Sequence, residues 1–307
     1  MTAVLEGRTV SKWYGQVIAV NNITFSIGEG VIGLLGPNGA GKSTLMKLLT
    51  GQLRPSQGEV TMFGERIWNN YELFHRIGFC PELDSFYERM SGAEFLAALL
   101  QMHGYEEEEV AKRVDAALET VKLTPARDKK IAAYSKGMRQ RIKMAQAIAH
   151  DPQVLILDEP LAGMDPVGRH EIIQMVRQWG REGKCVIVSS HILHEIEAMT
   201  STILLMHNGQ VLAEGDVHQI RDLIDKHPHS IYIRCSAPRK LAEAFVGFPD
   251  VESVKFHPEG DGLTVESRKP DDFYGRLPEL MLDHEIELEE ITSPDDNLQA
   301  VFHYLVK

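Results

Sequence analysis

One segment of the 307-residue chain has the residue types and spacing that hold a phosphate group. Residues 36–43, with the sequence GPNGAGKS, fit the pattern G-x-x-x-x-G-K-[ST]. Glycines let the backbone wrap so that several N–H groups point at one anion, and a helix beginning there adds its positive end. Lys42 can then reach the β- and γ-phosphates of a nucleotide, and the Ser43 hydroxyl can ligate Mg²⁺. The alternative is a glycine-rich turn with an incidental lysine. A predicted strand at residues 31–35 and a predicted helix at about 42–50 favour the phosphate loop.

A pair of carboxylates follows a second apolar run. Residues 154–157 are Val-Leu-Ile-Leu, and Asp158 and Glu159 come directly after them. A strand of this kind beside the phosphate-loop strand would place Asp158 near Mg²⁺, directly or through water. Glu159 would then lie near the γ-phosphate, where it could polarise an attacking water as a general base. Taken alone, the pair could equally be a solvated strand end or a helix cap, but the phosphate loop upstream favours the catalytic interpretation.

Composition and charge indicate a globular protein and argue against binding to nucleic acids. Hydrophobic residues make up 43% and charged residues 25%, which is typical of a globular chain. The 32 basic and 44 acidic residues give a net charge of −12, so we expect no nucleic-acid partner. Three scattered cysteines without a C-x-x-C pair predict reduced thiols. The sequence has no apolar run of about 18 residues and no secretory signal pattern, so we expect a cytoplasmic protein without a membrane span.

The order of predicted elements indicates two domains. Strands alternate with helices up to about residue 225, which predicts an α/β domain with a mainly parallel sheet and, at about 85–150, an inserted helical subdomain. Asn208-Gly209 predicts the turn of a β-hairpin. Residues 229–307 follow the order βαββαβ, which predicts a small α+β ferredoxin-like domain. A last helix is predicted to begin at Ser293, with Pro294 in its first turn.

These residues and four further landmarks resemble the ATP-binding subunits of ABC transporters over about residues 4–220. The landmarks are Tyr14, similar to the aromatic residue that stacks on adenine; Ser135 and Gly137, similar to the signature helix start; Asp165, similar to the D-loop aspartate; and His191, similar to the switch histidine. The resemblance implies a P-loop NTPase cassette with a mixed core sheet, an antiparallel β subdomain and the helical subdomain.

The resemblance also assigns ligands and roles. It implies ATP and Mg²⁺ as cofactors and Lys42, Glu159 and His191 as catalytic residues. Metal ligands would be Ser43, Asp158 and Glu82. The remaining expected nucleotide contacts are Tyr14, Gly36, Pro37, Asn38, Gly39, Ala40, Gly41, Thr44, Ser135, Gly137 and Asp165.

The resemblance implies partners as well. Ser135 and Gly137 would close over the γ-phosphate held by a second subunit, in a head-to-tail, ATP-bridged homodimer or paired cassette, with Asp165 bridging the two. Transport would require separate multi-spanning permease subunits, which would hold the chain at the cytoplasmic face of the membrane. The pattern around Ser135 is similar to that of drug- and lipid-exporting members.

Two motifs depart from the usual pattern. Lys136 and Met138 replace a glycine and a glutamine of the signature, and Glu82 stands where the lid glutamine is expected. Glu82 keeps an oxygen for Mg²⁺ but adds negative charge beside the phosphates. Two alternatives stay open at this point: a soluble ABC ATPase that is not a transporter, and a regulator that holds ATP without turnover.

Overall fold

The computed structural model describes residues 3–217, 220, 228–245, 247–257 and 262–293. The chain divides into two compact units, Met1–Asp216 and Val217–Lys307. None of the helices in these described ranges has the length and apolar character that a bilayer crossing requires.

The first unit contains two sheets. Its strands are β1 (Leu5–Tyr14), β2 (Val17–Ile27), β3 (Gly30–Leu35), β4 (Gln57–Met62), β5 (Glu65–Arg66), β6 (Ile77–Cys80), β7 (Val154–Leu157), β8 (Cys185–Ser189), β9 (Thr202–His207) and β10 (Gln210–Asp216). The smaller sheet is antiparallel with the order β2-β1-β4-β5. The larger sheet has the order β10-β9-β3-β8-β7-β6. Within it only β10 runs antiparallel to its neighbour, which confirms the mainly parallel sheet.

The strand order corrects one sequence-based expectation. β7, which ends just before Asp158, does not lie beside the phosphate-loop strand β3, because β8 pairs with both. All residues of β7 and β8 are buried, as expected for central parallel strands covered on both faces. Since parallel strands end at the same edge of a sheet, Asp158 still approaches the phosphate loop, but Ser189 at the end of β8 lies between them.

Seven α-helices complete the described part of the first unit. They are α1 (Lys42–Leu49), α2 (Tyr71–Phe74), α3 (Gly92–Met102), α4 (Glu107–Thr120), α5 (Lys136–Ile148), α6 (Pro166–Arg181) and α7 (Leu193–Glu197). A capping box begins α3: Glu94 N–H donates to Ser91 Oγ and Ser91 N–H donates to the Glu94 carboxylate. Asp165 caps α6, and Pro166 occupies its first position.

The second unit has its own core and its own sheet. Its elements are β11 (His229–Cys235), α8 (Pro238–Phe245), β12 (Val251–Phe256), β13 (Gly262–Ser267), α9 (Pro270–Asp283) and β14 (Leu288–Thr292). The antiparallel sheet has the order β12-β13-β11-β14. Leu241, Phe245, Phe273 and Leu277 from the two helices pack into its apolar cluster. The last predicted helix, from Ser293 and Pro294 onward, lies outside the described residues apart from Ser293 itself.

Candidate nucleotide-binding site

The predicted phosphate loop joins β3 to α1 and depends on two glycines. Gly36 and Gly41 have φ angles of 150° and 103°. A Cβ atom on Gly36 would lie 2.3 Å from the Met206 carbonyl oxygen, and one on Gly41 would lie 2.4 Å from the Ala19 carbonyl oxygen. Only glycine fits at either position, because both the backbone angle and the close neighbouring backbone exclude a side chain. Gly209 N–H donates to the Ala40 carbonyl at 3.0 Å and fixes the loop to the β9–β10 hairpin.

The N-terminus of α1 is open toward the loop. Gly41 precedes the helix and supplies no side-chain cap, so the first N–H groups of α1 are not taken up by a capping side chain. Ser43 is exposed and Thr44 half-buried in this first turn, while Pro37, Asn38 and Gly39 form the preceding bend. A helix N-terminus with unpaired N–H groups favours an anion.

Lys42 is held over this loop by backbone carbonyls. Its Nζ donates to the carbonyl oxygens of Gly36 at 2.6 Å and Pro37 at 3.2 Å. Burial lowers the pKa of Lys42, and the negative charges of Glu159, Asp158 and Glu82 act in the opposite direction. Three carboxylates therefore lie within electrostatic range of one ammonium group.

Ser189 connects the two predicted acidic residues. Its Oγ donates to Asp158 Oδ1 at 2.6 Å and accepts from Glu159 N–H at 2.9 Å. Asp158 is only 8% exposed. Because one hydroxyl contacts a carboxylate and a backbone N–H in neighbouring residues, it fixes the orientation of the whole turn after β7.

Glu159 adopts an unusual backbone conformation. Its φ of 50° lies in the left-handed region, which is strained for a residue with a side chain. Ser189 holds its N–H, and the buried Gln140 holds its carbonyl oxygen through Nε2 at 3.5 Å. Backbone strain of this kind persists where surrounding contacts over-determine it, and it is common at functional sites.

The Glu159 side chain meets the predicted switch histidine. Oε2 of Glu159 lies 2.9 Å from Nδ1 of His191. Burial raises the pKa of Glu159, while the hydrogen bond and charge of His191 lower it, Asp158 raises it, and Lys42 lowers it. A carboxylate whose pKa is raised by burial accepts a proton more readily than an exposed carboxylate, which suits a general base.

Glu82 lies at the same edge of the sheet but is exposed. Its charge reaches Lys42, and its backbone carbonyl accepts a hydrogen bond from Lys143 Nζ at 2.7 Å. The buried Lys143 side chain also pairs with Asp84 at 3.2 Å. The segment that carries Glu82 is thereby fixed to α5.

Tyr14 ends β1 with 46% of its surface exposed, and Lys12 Nζ lies 5.5 Å from its ring centroid. An exposed ring of this kind is free to stack on a base.

Ser135, Gly137 and Asp165 are at other helix ends. Ser135 Oγ accepts from Met138 N–H at 3.3 Å as the cap of α5, and Asp165 Oδ1 accepts from Gly168 N–H at 2.8 Å as the cap of α6. Gly137 has open space around it, with nothing within 4 Å of a would-be Cβ. Among the described residues, no hydrogen bond or ion pair joins these three to the phosphate loop.

Sequence reasoning missed Ser189 and Gln140, which hold Asp158 and Glu159 in place. Ser189 could have been found, because it ends a buried strand two residues before His191. Gln140 lies on the buried face of α5, and nothing in the sequence indicates its contact with a residue on another element.

Comparison with known proteins identifies the family. A family model described as ABC transporter matches residues 20–162. The bacitracin transport ATP-binding protein of Enterococcus faecalis is 38% identical over 224 residues, covering 72% of this chain and 71% of the relative. Its namesake from Bacillus licheniformis is 29% identical over 309 residues, covering 100% of this chain and 98% of the relative.

Solved structures agree on the fold. A structure described as the ATP-binding subunit of an ABC transporter is 29% identical with a TM-score of 0.66, covering 72% of this chain and 92% of that one. A dimeric bacterial ABC transporter cassette has a TM-score of 0.64 at 24% identity, covering 69% and 98%. The alternative of a non-transport ATPase is not favoured, because these relatives are transport proteins. The chain belongs to the ATP-binding subunits of ABC transporters, which hydrolyse ATP to drive transport.

Proposed function

We propose that this chain powers export of a substrate through separate membrane subunits, with Lys42, Asp158, Glu159 and His191 as the residues that bind and hydrolyse ATP. The observation that carries the proposal is the Glu159–His191 contact at 2.9 Å beside the Lys42 loop. The export direction is supported by a relative from Cupriavidus pinatubonensis described as a Nod factor export ATP-binding protein, which is 35% identical over 227 residues.

Catalysis in this scheme is positioning and electrostatics. The loop of residues 36–44 and the N-terminus of α1 hold the phosphates, and the Lys42 ammonium leaves the Gly36 and Pro37 carbonyls for phosphate oxygens. Glu159 accepts a proton from the attacking water, and His191 holds the carboxylate and contacts the γ-phosphate. Tyr14 stacks on the adenine.

The chemistry of the donor set fits Mg²⁺. Asp158 and Glu82 offer carboxylate oxygens, Ser43 offers a hydroxyl, and all lie around Lys42 and its loop. Among the described residues no cluster of three or more His, Cys, Asp or Glu side chains could hold a metal alone. This suits Mg²⁺, which is usually bound by one or two carboxylates together with substrate phosphates. Bound there, the ion would neutralise phosphate charge.

The site is completed by a second molecule. ABC cassettes form dimers in solved structures. Ser135 and Gly137 at the start of α5 supply an anion-binding helix end without contact to their own phosphate loop. We assign them to the γ-phosphate held by a partner, in a head-to-tail dimer with Asp165 at the interface.

The domain assignment is part of the proposal. Residues 1–225 would form the ATP-binding cassette, with a helical subdomain at about 85–150, and residues 229–307 a ferredoxin-like accessory domain. The sheet order β12-β13-β11-β14 supports the latter, because it places the first and third strands of βαββαβ at the centre. The chain would lie at the cytoplasmic face of the membrane, held there by the permease.

Capture from membranes tests the transport role. Tagged protein should recover a multi-spanning membrane protein, and recovery of soluble partners alone would contradict the proposal. We assign the contact with the permease to residues around 82–100, where Leu83 and Tyr87 are exposed by 75% and 72%. Leu83→Asp should reduce the capture, whereas Leu282→Asp, at an equally exposed position in the second unit, should not.

A further inference from the structure

A buried carboxylate, that of Glu195, lies four residues after His191 in the chain. Glu195, in α7, is 5% exposed. Its Oε2 accepts from Ser190 Oγ at 2.8 Å, and its Oε1 lies 3.2 Å from Arg169 Nη1. Both oxygens thus have partners, which is the condition for burying a charged group.

Ser190 connects Glu195 to the residues on both sides of His191. Its hydroxyl hydrogen is directed to Glu195, and its oxygen accepts from Ile192 N–H at 3.0 Å. The residues before and after His191 are therefore held by one carboxylate. The His191 side chain is itself 61% exposed, so the packing around it leaves much of the ring unrestrained. Its approach to Glu159 depends on this anchored backbone.

Arg169 connects Glu195 to the segment before α6. Its Nε donates to the Met164 carbonyl at 3.2 Å, and the other end of the guanidinium reaches Glu195. Met164 directly precedes Asp165, the cap of α6. A planar guanidinium fixes the relative positions of its two partners more rigidly than an ammonium group does.

We propose that Glu195 is a positioning residue that holds His191 against Glu159, and that the Arg169–Glu195 ion pair links this contact to the Met164–Asp165 segment. The inference rests on the proposed roles of Glu159 and His191 in hydrolysis. Asp165 is assigned to the dimer interface. Through the Arg169–Glu195 ion pair, the alignment of His191 with Glu159 therefore depends on the partner molecule. Each connection is a hydrogen bond, an ion pair or the bond to the next residue, so a defined set of contacts carries the proposed coupling.

Two variants break the link at different points. Ser190→Ala removes the hydroxyl that holds Ile192 and leaves the ion pair in place. Glu195→Gln keeps an acceptor for Ser190 and removes the charge that holds Arg169. Each should lower kcat by on the order of tenfold or more while KM for ATP changes little, because a misplaced base affects the transition state and leaves nucleotide binding intact.

Glu171→Gln is the matched control. Glu171 also lies on α6 and pairs with Lys122 and with the partly buried Arg141. Among the described residues, no hydrogen bond or ion pair joins Glu171 to the His191 segment. It should leave kcat near that of the parent protein. A kcat loss in Glu171→Gln as large as in Glu195→Gln would overturn the proposal, because it would show a general sensitivity of α6.

A double-mutant cycle tests the link to Arg169. Arg169→Gln combined with Glu195→Gln should be no slower than the slower single variant, and additive losses would contradict the coupling.

If Glu195→Gln fails to fold, Ser190→Ala decides: an unchanged kcat overturns the positioning role. The proposed function is judged separately with Glu159→Gln. If that variant still hydrolyses ATP, the assignment of the base is wrong, whereas an inactive Glu159→Gln with a fully active Ser190→Ala refutes only the positioning role.

Discussion

Nδ1 of His191 lies 2.9 Å from Oε2 of Glu159, although 32 residues separate them in the chain. The carboxylate side chain is 14% exposed and the imidazole 61% exposed. The pair therefore connects a shielded carboxylate to a side chain that is accessible to a ligand. Within this contact, the hydrogen bond and charge of His191 lower the pKa of Glu159 and oppose the effect of burial.

The first prediction concerns the pH dependence of hydrolysis. Burial raises the pKa of Glu159, and His191 partly counteracts it. Because the ionised carboxylate is the proposed base, kcat should fall on acidification at a higher pH than an ordinary glutamate would give. His191→Gln removes a group that lowers the pKa, so the fall should move to still higher pH and the maximum rate should decrease.

His194→Gln is the control for this prediction. His194 is exposed in α7, three residues further on, and is outside the contact with Glu159. Its pH–rate profile should coincide with that of the parent protein. Identical profiles for the parent protein and His191→Gln would show that His191 does not influence the base.

The second prediction separates binding from hydrolysis. Glu159→Gln removes the proposed proton acceptor but leaves the loop and Lys42 in place, so turnover should stop while ATP stays bound in a dimer. Size-exclusion chromatography with and without ATP measures the dimer.

Lys42→Ala should bind ATP about 10- to 100-fold more weakly, from the loss of charge-assisted hydrogen bonds, and should stay monomeric. Lys47→Ala, on the exposed face of the same helix, should behave as the parent protein. Continued hydrolysis by Glu159→Gln would refute its role.

The sequence predicted the phosphate loop and the carboxylates because their chemistry depends on consecutive residues. The strand that carries Asp158 was nevertheless placed wrongly beside β3, since pairing between distant strands leaves no local pattern. Ser189 shows the consequence: it occupies the intervening strand and holds both acidic residues.

The third prediction concerns the charge of Glu82. Its negative charge acts on Lys42, and it would lie near the phosphates of a bound nucleotide. Glu82→Gln removes that charge and keeps one oxygen, so ATP should bind more tightly without Mg²⁺ and hydrolysis should need a higher Mg²⁺ concentration. Glu88→Gln, an exposed residue paired with Arg139, is the control. Superimposable Mg²⁺ titrations of Glu82→Gln and the parent protein would place Glu82 away from the metal.

The fourth prediction tests the shape of the loop at two glycines that both have positive φ. A methyl group on Gly36 would lie 2.3 Å from the Met206 carbonyl, whereas a methyl group on Gly39 would meet nothing within 4 Å. Gly36→Ala should therefore lower the free energy of unfolding by at least about 2 kcal/mol and disrupt ATP binding, because the loop must move away from β9. Gly39→Ala, with a φ of 82°, should cost only about 1 kcal/mol from backbone strain. Thermal unfolding and ATP titration of both variants measure the difference. Equal losses would mean that the left-handed backbone, and not the contact with Met206, accounts for the need for glycine at position 36.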